Sequence, residues 1–444
     1  MTLTKTHNRM IDGASASVSD FGAIGDGVVD DTVAIQTAFD WLGNGPFRHL
    51  SFASNSTYKV STTLTMTSTW TTRQCTVSGN RAQVVFYGAS GALFDFSSVG
   101  NSVFRDLYLI SNTSGVGTAI YSRPAAGQYS GQCLFENIQI LDFERGLQWG
   151  SATSGANGGW STNFIDLDIS SCDIGVYLTE GGNNALNFVG CRVASCGQGV
   201  VIDGSCYEVK FIGGAYEFHT TAAFVFGGTS EKFSISMDGL YMENASTDFQ
   251  FNAGTTNLRN LSVKDCYIFS SSATKVAVSS VGSGFSGSNI CFRDNFIYTS
   301  AGSFYGDLPV GTTLSNNYAP FEQAAGGIGL KYENSTKQYF LSAQSAGVKS
   351  DVTTNQPCNE VGSYRWTLFH NNNDGDYVFS GNLVVSQGDD PKFTTDIALK
   401  SASGGGAASG TIGFVNDTNI IKFEYTPLAG VTTLSTSYLV LTRT

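Results

Sequence analysis

A six-residue pattern recurs along this chain and limits what it can fold into: apolar, any, Asp/Asn/Gly, small or apolar, any, apolar. It reads FRDLYL from Phe104, FENIQI from Phe135, FIDLDI from Phe164, FVGCRV from Phe188, FIGGAY from Phe211, MDGLYM from Met237, VKDCYI from Val263 and FRDNFI from Phe292. Weaker copies, VSGNRA from Val77 and LSNNYA from Leu314, flank these. The ten copies are 27, 31, 29, 24, 23, 26, 26, 29 and 22 residues apart, a period near 26. Periods of about 20–50 residues mark repeat architectures. A unit this short cannot bury its own apolar face, whereas stacked copies share one continuous core.

The pattern also orients the side chains. The leading Phe faces inward, the Asp/Asn/Gly position turns the chain, and inward alternation resumes three and five residues after the Phe. The turn needs residues that accept left-handed backbone, and Asp106, Asn137, Asp166, Gly190, Gly213, Gly239, Asp265 and Asp294 occupy it. CDIGVYL from Cys172 and CGQGVVI from Cys196 mark a further strand at equivalent places, with the two thiols stacked inside. The predicted fold is all-β, a parallel β-helix of about ten coils spanning 18–324.

Both ends differ from the repeat. Asp30 and Asp31 precede VAIQTAFDWL, in which Ile35, Ala38, Phe39 and Leu42 share one helical face. A helix over 31–42, N-capped by an aspartate, would plug the open end of the solenoid and cover its unpaired strand edges. Beyond residue 320 the repeat stops. Eight short strands (SYRWTLF, DYVFS, NLVVS, DIALK, TIGFV, IIKFEY, VTTL and YLVLT) with turns such as NNNDGD predict a C-terminal β-sandwich over 325–444.

Composition narrows the function. Charged residues make up 14%, against roughly 25% in ordinary soluble domains. The 24 basic and 36 acidic residues give −12 with no basic stripe, which argues against nucleic acid. No apolar run is long enough for a membrane-spanning helix, and MTLTKTHNRMIDG has no apolar core of a secretory signal. Nine cysteines without metal-binding spacing read as free, mostly buried thiols made in a reducing compartment. The four histidines, at 7, 49, 219 and 370, are scattered, and only His219 falls near the candidate face. No metal or other cofactor is expected.

Residues 18–42, VSDFGAIGDGVVDDTVAIQTAFDWL, resemble the N-terminal motif DFGAxGDGxxDDTxAIQxA of the pectate-lyase-like β-helix superfamily. The preceding THNRMIDGASA resembles the lead-in to that motif in bacteriophage tailspikes and tail fibres, and HLSFASNSTYKVSTTLTM fits the first coil of such proteins. The resemblance covers roughly residues 6 to 320. It implies a right-handed β-helix, with residues 1–17 as an attachment peptide, in a homotrimer on the virion tail. Its expected partners are other phage tail proteins and a bacterial surface polysaccharide, capsule or O-antigen. It is specific for fold and weakly so for chemistry. Asp20, Asp26, Asp30 and Asp31 are read as turn formers and helix caps. Gly22, Gly25 and Gly27 are read as tight-turn residues, since no Gly-Lys-Ser/Thr follows to make a nucleotide loop.

Glycosidic hydrolysis needs two carboxyl groups, one a proton donor and one a base or nucleophile. Four residues after each leading position, an outward row reads Tyr108, Gln139, Asp168, Arg192, Ala215, Tyr241, Tyr267 and Phe296. Six residues after, the row is Ile110, Leu141, Ser170, Ala194, Glu217, Glu243, Phe269 and Tyr298. Glu217 and Glu243 fall on consecutive coils about 5 Å apart, the strand spacing. Their mutual repulsion would leave one of them protonated, as a general acid must be. The expected catalytic residues are Glu217, Glu243 and Asp168. Arg192, Tyr241, Tyr267, Phe269, Phe296 and Tyr298 are expected to bind substrate, because sugar C–H faces stack on rings. Such aromatics equally suit burial between subunits, and stacked charges equally form solvated ladders. Glu180 and Asp238 are the lesser candidates.

Three functions are compatible with this pattern. They are an endo-acting tailspike depolymerase (hydrolase before lyase), a receptor-binding fibre without catalysis, and a cellular pectinase-like enzyme. The absence of a secretory signal counts against the third.

Overall fold

The computed structural model describes residues 15–45, 47–67, 74–125, 130–150, 159–179, 181–252, 257–270, 278–279, 287–299, 312–315 and 317, and the backbone of strands between 332 and 443. The first region is a parallel β-solenoid. A representative coil has three strands: Asn183–Val189 on what we call face A, Arg192–Ala194 on face B and Gln198–Ile202 on face C. The next coil repeats them as Cys206–Ile212, Ala215–Glu217 and Ala222–Phe226, each paired in parallel with its predecessor. Face C contains nine strands, from Leu64–Thr67 to Val278–Ser279, so the described solenoid has about nine coils rather than ten. The tenth pattern copy, from Leu314, overlaps a strand at Thr312–Ser315, but no described strand of face C follows it.

The corner between faces A and B is where the sequence placed it. All eight turn residues have φ between 51° and 66°, the left-handed region that Asp, Asn and Gly tolerate best. The Asn137 amide donates to Asp106 Oδ1 at 2.7 Å, tying one corner to the next. At Gly214, beside the corner, a Cβ would collide with the backbone carbonyl of Cys191, so only glycine fits.

Inside face A the leading residues form one column. The rings of Phe104, Phe135, Phe164, Phe188 and Phe211 stack at successive centroid distances of 5.2, 5.3, 4.7 and 4.9 Å. Register continues the column through Met237 and Val263, both buried. Each such side chain contributes about 1.5–3 kcal/mol on burial, so the stack is a principal source of solenoid stability. All eight described cysteines are free, and seven are buried.

The capping helix runs Thr32–Gly43, and Ile35, Ala38, Phe39 and Leu42 are its buried apolar residues. Phe39 packs against Phe94 of the solenoid at 5.7 Å. The cap differs in detail from the expected one. Asp31 makes no side-chain cap; it is buried and accepts the backbone N–H groups of Ile24 (2.6 Å) and Gly25 (3.1 Å), which holds the preceding loop. Asp30 takes over at the helix start, accepting the Thr32 N–H at 3.0 Å and the Thr32 hydroxyl. Asp26 accepts the Val29 and Val28 N–H groups, which hold its carboxyl below the ordinary range. Asp20 forms a capping box with Ser17. The motif's aspartates thus serve turns and caps.

Beyond residue 314 the strands belong to a second compact unit, with a seven-stranded and a three-stranded antiparallel sheet. Two predicted strands, DYVFS and NLVVS, merge into one at Gly375–Val385. Among the described residues no helix is long and apolar enough to cross a membrane.

Candidate functional site

Face B consists of very short strands, which fixes the direction of every side chain. In a three-residue strand the middle residue points inward and its neighbours outward. Ile169, Val193, Tyr216 and Met242 are these middle residues, all buried. The outward rows follow from parallel register. One reads Asp168, Arg192, Ala215, Tyr241, Tyr267; the other reads Ser170, Ala194, Glu217, Glu243, Phe269. Both rows are those expected from the sequence, and Glu217 and Glu243 are direct partners on adjacent strands.

Their hydrogen-bond partners go beyond what the row pattern contains. Arg192 reaches both ways, donating from Nε to Glu217 Oε1 at 2.8 Å and from Nη1 to Asp168 Oδ1 at 3.1 Å. Partial burial lowers the basicity of this guanidinium, but the hydrogen bonds to Glu217 and Asp168 more than reverse that and raise it overall. Glu243 is held separately. The Tyr241 hydroxyl donates to its Oε2 at 2.6 Å, and the Asn244 amide donates to its Oε1 at 2.9 Å. The bond to Glu243 raises Tyr241 to about 12. Hydrogen-bond donors thus reach both glutamates, Arg192 at Glu217 and Tyr241 with Asn244 at Glu243. The pattern showed Arg192 only as a neighbour, since its reach across two strands depends on rotamer.

Beside the acids, the Tyr241 and Tyr267 rings stack nearly parallel, at 5.6 Å and 3°, and are 38% and 40% exposed. The Glu217 side chain is more covered than that of Asp168, 13% exposed against 40%. Phe269 is half-buried, paired in register with Glu243. Phe296 is half-buried on the strand Phe296–Thr299, which also carries Tyr298, whose side chain lies outside the described residues. Glu180 also lies outside them. Asp238 is tied to Lys264 at 2.6 Å. His219 is not on the face: it is 1% exposed, inside the solenoid next to Cys196. Cys172 is raised well above the ordinary thiol value by its hydrogen bond with Cys196 and by burial. Among the described residues no group of three or more His, Cys, Asp or Glu side chains could hold a metal ion.

No protein-family model matches the sequence, and neither does any curated protein. Solved structures do match. The ORF18 protein of Geobacillus virus E2 superposes with a TM-score of 0.52 at 15% identity, covering 92% of this chain and 83% of that one. The tailspike protein of Acinetobacter phage vB_ApiP_P1 is similar with a TM-score of 0.40 at 15% identity, covering 97% and 88%. Tailspike gp49 of Acinetobacter baumannii bacteriophage Fri1, described as a capsular polysaccharide depolymerase, has a TM-score of 0.40 at 10% identity, covering 99% and 87%. At such identities the likeness concerns fold, and the first comparison supports it. The chain is a parallel β-helix structurally similar to phage proteins.

Proposed function

We propose that the chain is a phage tailspike that recognises a bacterial surface polysaccharide on face B and cleaves it by endo-acting glycosidic hydrolysis. The observation that carries this reading is the exposed Tyr241–Tyr267 stack standing in register beside Glu243 and Glu217. Parallel rings offer a platform for sugar C–H faces, and Glu217 and Glu243 stand on adjacent strands, whose spacing of about 5 Å is close to the separation of a retaining pair. Glu243, held as an acceptor by Tyr241 and Asn244, would act as nucleophile or base. Glu217 would serve as acid once bound glycan draws Arg192 away from it. Asp168 then keeps the guanidinium on the face.

A second reading, a receptor-binding fibre without catalysis, is favoured by Arg192, which compensates Glu217 and Asp168 together. Incubation with host polysaccharide and measurement of fragment length separates the two. Under the first reading, Glu217→Gln or Glu243→Gln lowers turnover by at least about a hundredfold while binding survives. An uncleaved but bound polysaccharide overturns it in favour of the second. We further assign the chain to a homotrimer on the virion tail, with a right-handed coil, the commonest sense for parallel crossovers. Residues 1–17 would attach it to other tail proteins, and the C-terminal sheets would pack as a sandwich that holds the trimer or a glycan. Light scattering at the monomer mass of 47.1 kDa would exclude the trimer.

A further inference from the structure

Face A has an outward side of its own, across the corner from the tyrosine stack. Its strands Asn183–Val189, Cys206–Ile212, Lys232–Asp238 and Leu258–Lys264 each bend at a non-glycine residue with positive φ: Ala185 (53°), Glu208 (58°), Ser234 (56°) and Asn260 (57°). Alanine, glutamate and serine gain little from left-handed backbone, and residues held there against preference cluster at binding sites. Each bend puts two consecutive side chains outside. Tyr207 and Glu208 are both exposed, while Cys206 and Val209 on either side are buried.

Register turns the bends into a groove. Before them, Tyr207 and Phe233 are direct partners, each 37% exposed. After them, Lys210, Ser236 and Ser262 form the facing row. The two arms line a groove of about 520 Å³, with Asn260 at the bend. This falls within the range of about 300–1,000 Å³ usual for small-ligand sites. Its charges are already paired: Lys210 with Glu208 at 2.8 Å, and Arg259 with Glu231 at 3.7 Å. Glu231 also accepts the Tyr207 hydroxyl at 3.1 Å, which fixes that ring before any ligand arrives. What the groove offers a ligand is two ring surfaces, hydroxyls and amides.

We propose that this groove is a second binding site, for a neutral oligosaccharide lying along the solenoid axis. Rings on one arm take the C–H faces of sugars, and the Ser236 and Ser262 hydroxyls on the other both donate and accept, as sugar hydroxyls do. Asn260 at the bend, whose Oδ1 accepts from Asn289 at 2.7 Å, has its amide N–H groups to donate. A phosphate-bearing ligand would meet Glu208 and Glu231 on a chain of net charge −12. An apolar peptide would leave the serine arm unpaired. The bend recurs on four consecutive coils, but rings precede it only at Tyr207 and Phe233, between Asn184 and Arg259, so the platform suits a short stretch of glycan. The proposal shares with the preceding one only the class of ligand, and the two sites can fail separately.

The test uses the full chain, a double variant Tyr207→Ser/Phe233→Ser, and a second double variant Tyr241→Ala/Tyr267→Ala. All four side chains are exposed, and an unchanged unfolding midpoint verifies folding. The probe is an array of capsule- and O-antigen-derived oligosaccharides, with calorimetry on the ligands retained. A neutral oligosaccharide should bind the groove variant at least about tenfold more weakly than the parent, as expected for lost ring stacking. Loss in the groove variant alone supports the groove and counts against face B. Unchanged affinity in the groove variant, with loss in the tyrosine variant, overturns the groove and leaves face B standing. Retention of charged glycans only, or of none, overturns the groove. So does self-association that the groove variant abolishes, since a second copy would then be the occupant.

Discussion

Phe188 and Arg192 lie four residues apart on one coil and face opposite sides of its wall. Phe188 joins a column in which neighbouring coils supply the same ring in nearly the same orientation, 13° and 12° from its two partners. Arg192 joins a row in which every neighbour differs: Asp168 on one side, Ala215 on the other, Glu217 diagonally. The inner column repeats because each coil must hand its apolar face to the next. The outer row has no such obligation, so its residues are free to make specific partners. Stability is therefore spread over many equivalent contacts, and any chemistry is concentrated in a few unequal ones.

The comparison fails most visibly if the inner column proves unimportant. Phe188→Ala should cost about 3–5 kcal/mol, the usual range for a buried Phe truncated in a core that cannot collapse. Denaturant unfolding followed by circular dichroism measures it, and a loss below about 1 kcal/mol would show that neighbouring coils close the gap. Arg192→Ala, on the other side of the same coil, should cost only about 1 kcal/mol after allowing for solvent screening of a partly exposed ion pair. Its signature is salt. Removing the guanidinium leaves Asp168 and Glu217 without their shared cation, so the deficit should shrink at high ionic strength. A deficit insensitive to salt would mean that Arg192 stabilises through packing of its stem.

This division also explains what could be read in advance. The column from Phe104 to Phe211, the corners from Asp106 to Asp294 and the helix face of Ile35, Ala38, Phe39 and Leu42 follow from periodicity. A single choice satisfies all coils at once. Parallel register, with its strict period, carried the outward rows as well, and so it paired Glu217 with Glu243. It did not carry the hydrogen bonds, because a long side chain such as Arg192 chooses among partners on two strands. His219 lies near the face in sequence, two residues past Glu217, but there the chain turns from face B and its side chain goes inside. The groove on face A was missed because Ala185, Glu208 and Ser234 carry no left-handed signal. Only their shared register reveals the bend.

The finest contrast concerns Tyr241, the outer residue most firmly committed to a carboxylate. Its hydroxyl donates to Glu243, and ionisation would replace that bond with two facing negative charges, so its pKa rises from 10.0 to about 12. The sign follows directly. The folded protein holds this proton more tightly than the unfolded chain, so the contribution to stability is complete below pH 10 and disappears as pH rises through about 12. Subtracting the ultraviolet tyrosinate titration of Tyr241→Phe from that of the parent isolates this one group. The midpoint should lie near 12 in the parent and move back towards 10 in the Glu243→Gln background, because the amide carries no charge to repel tyrosinate. A parent midpoint at 10 would mean that Glu243 is not engaged by Tyr241 in solution, which would remove one of the two donors that hold this carboxylate as an acceptor in the hydrolase reading.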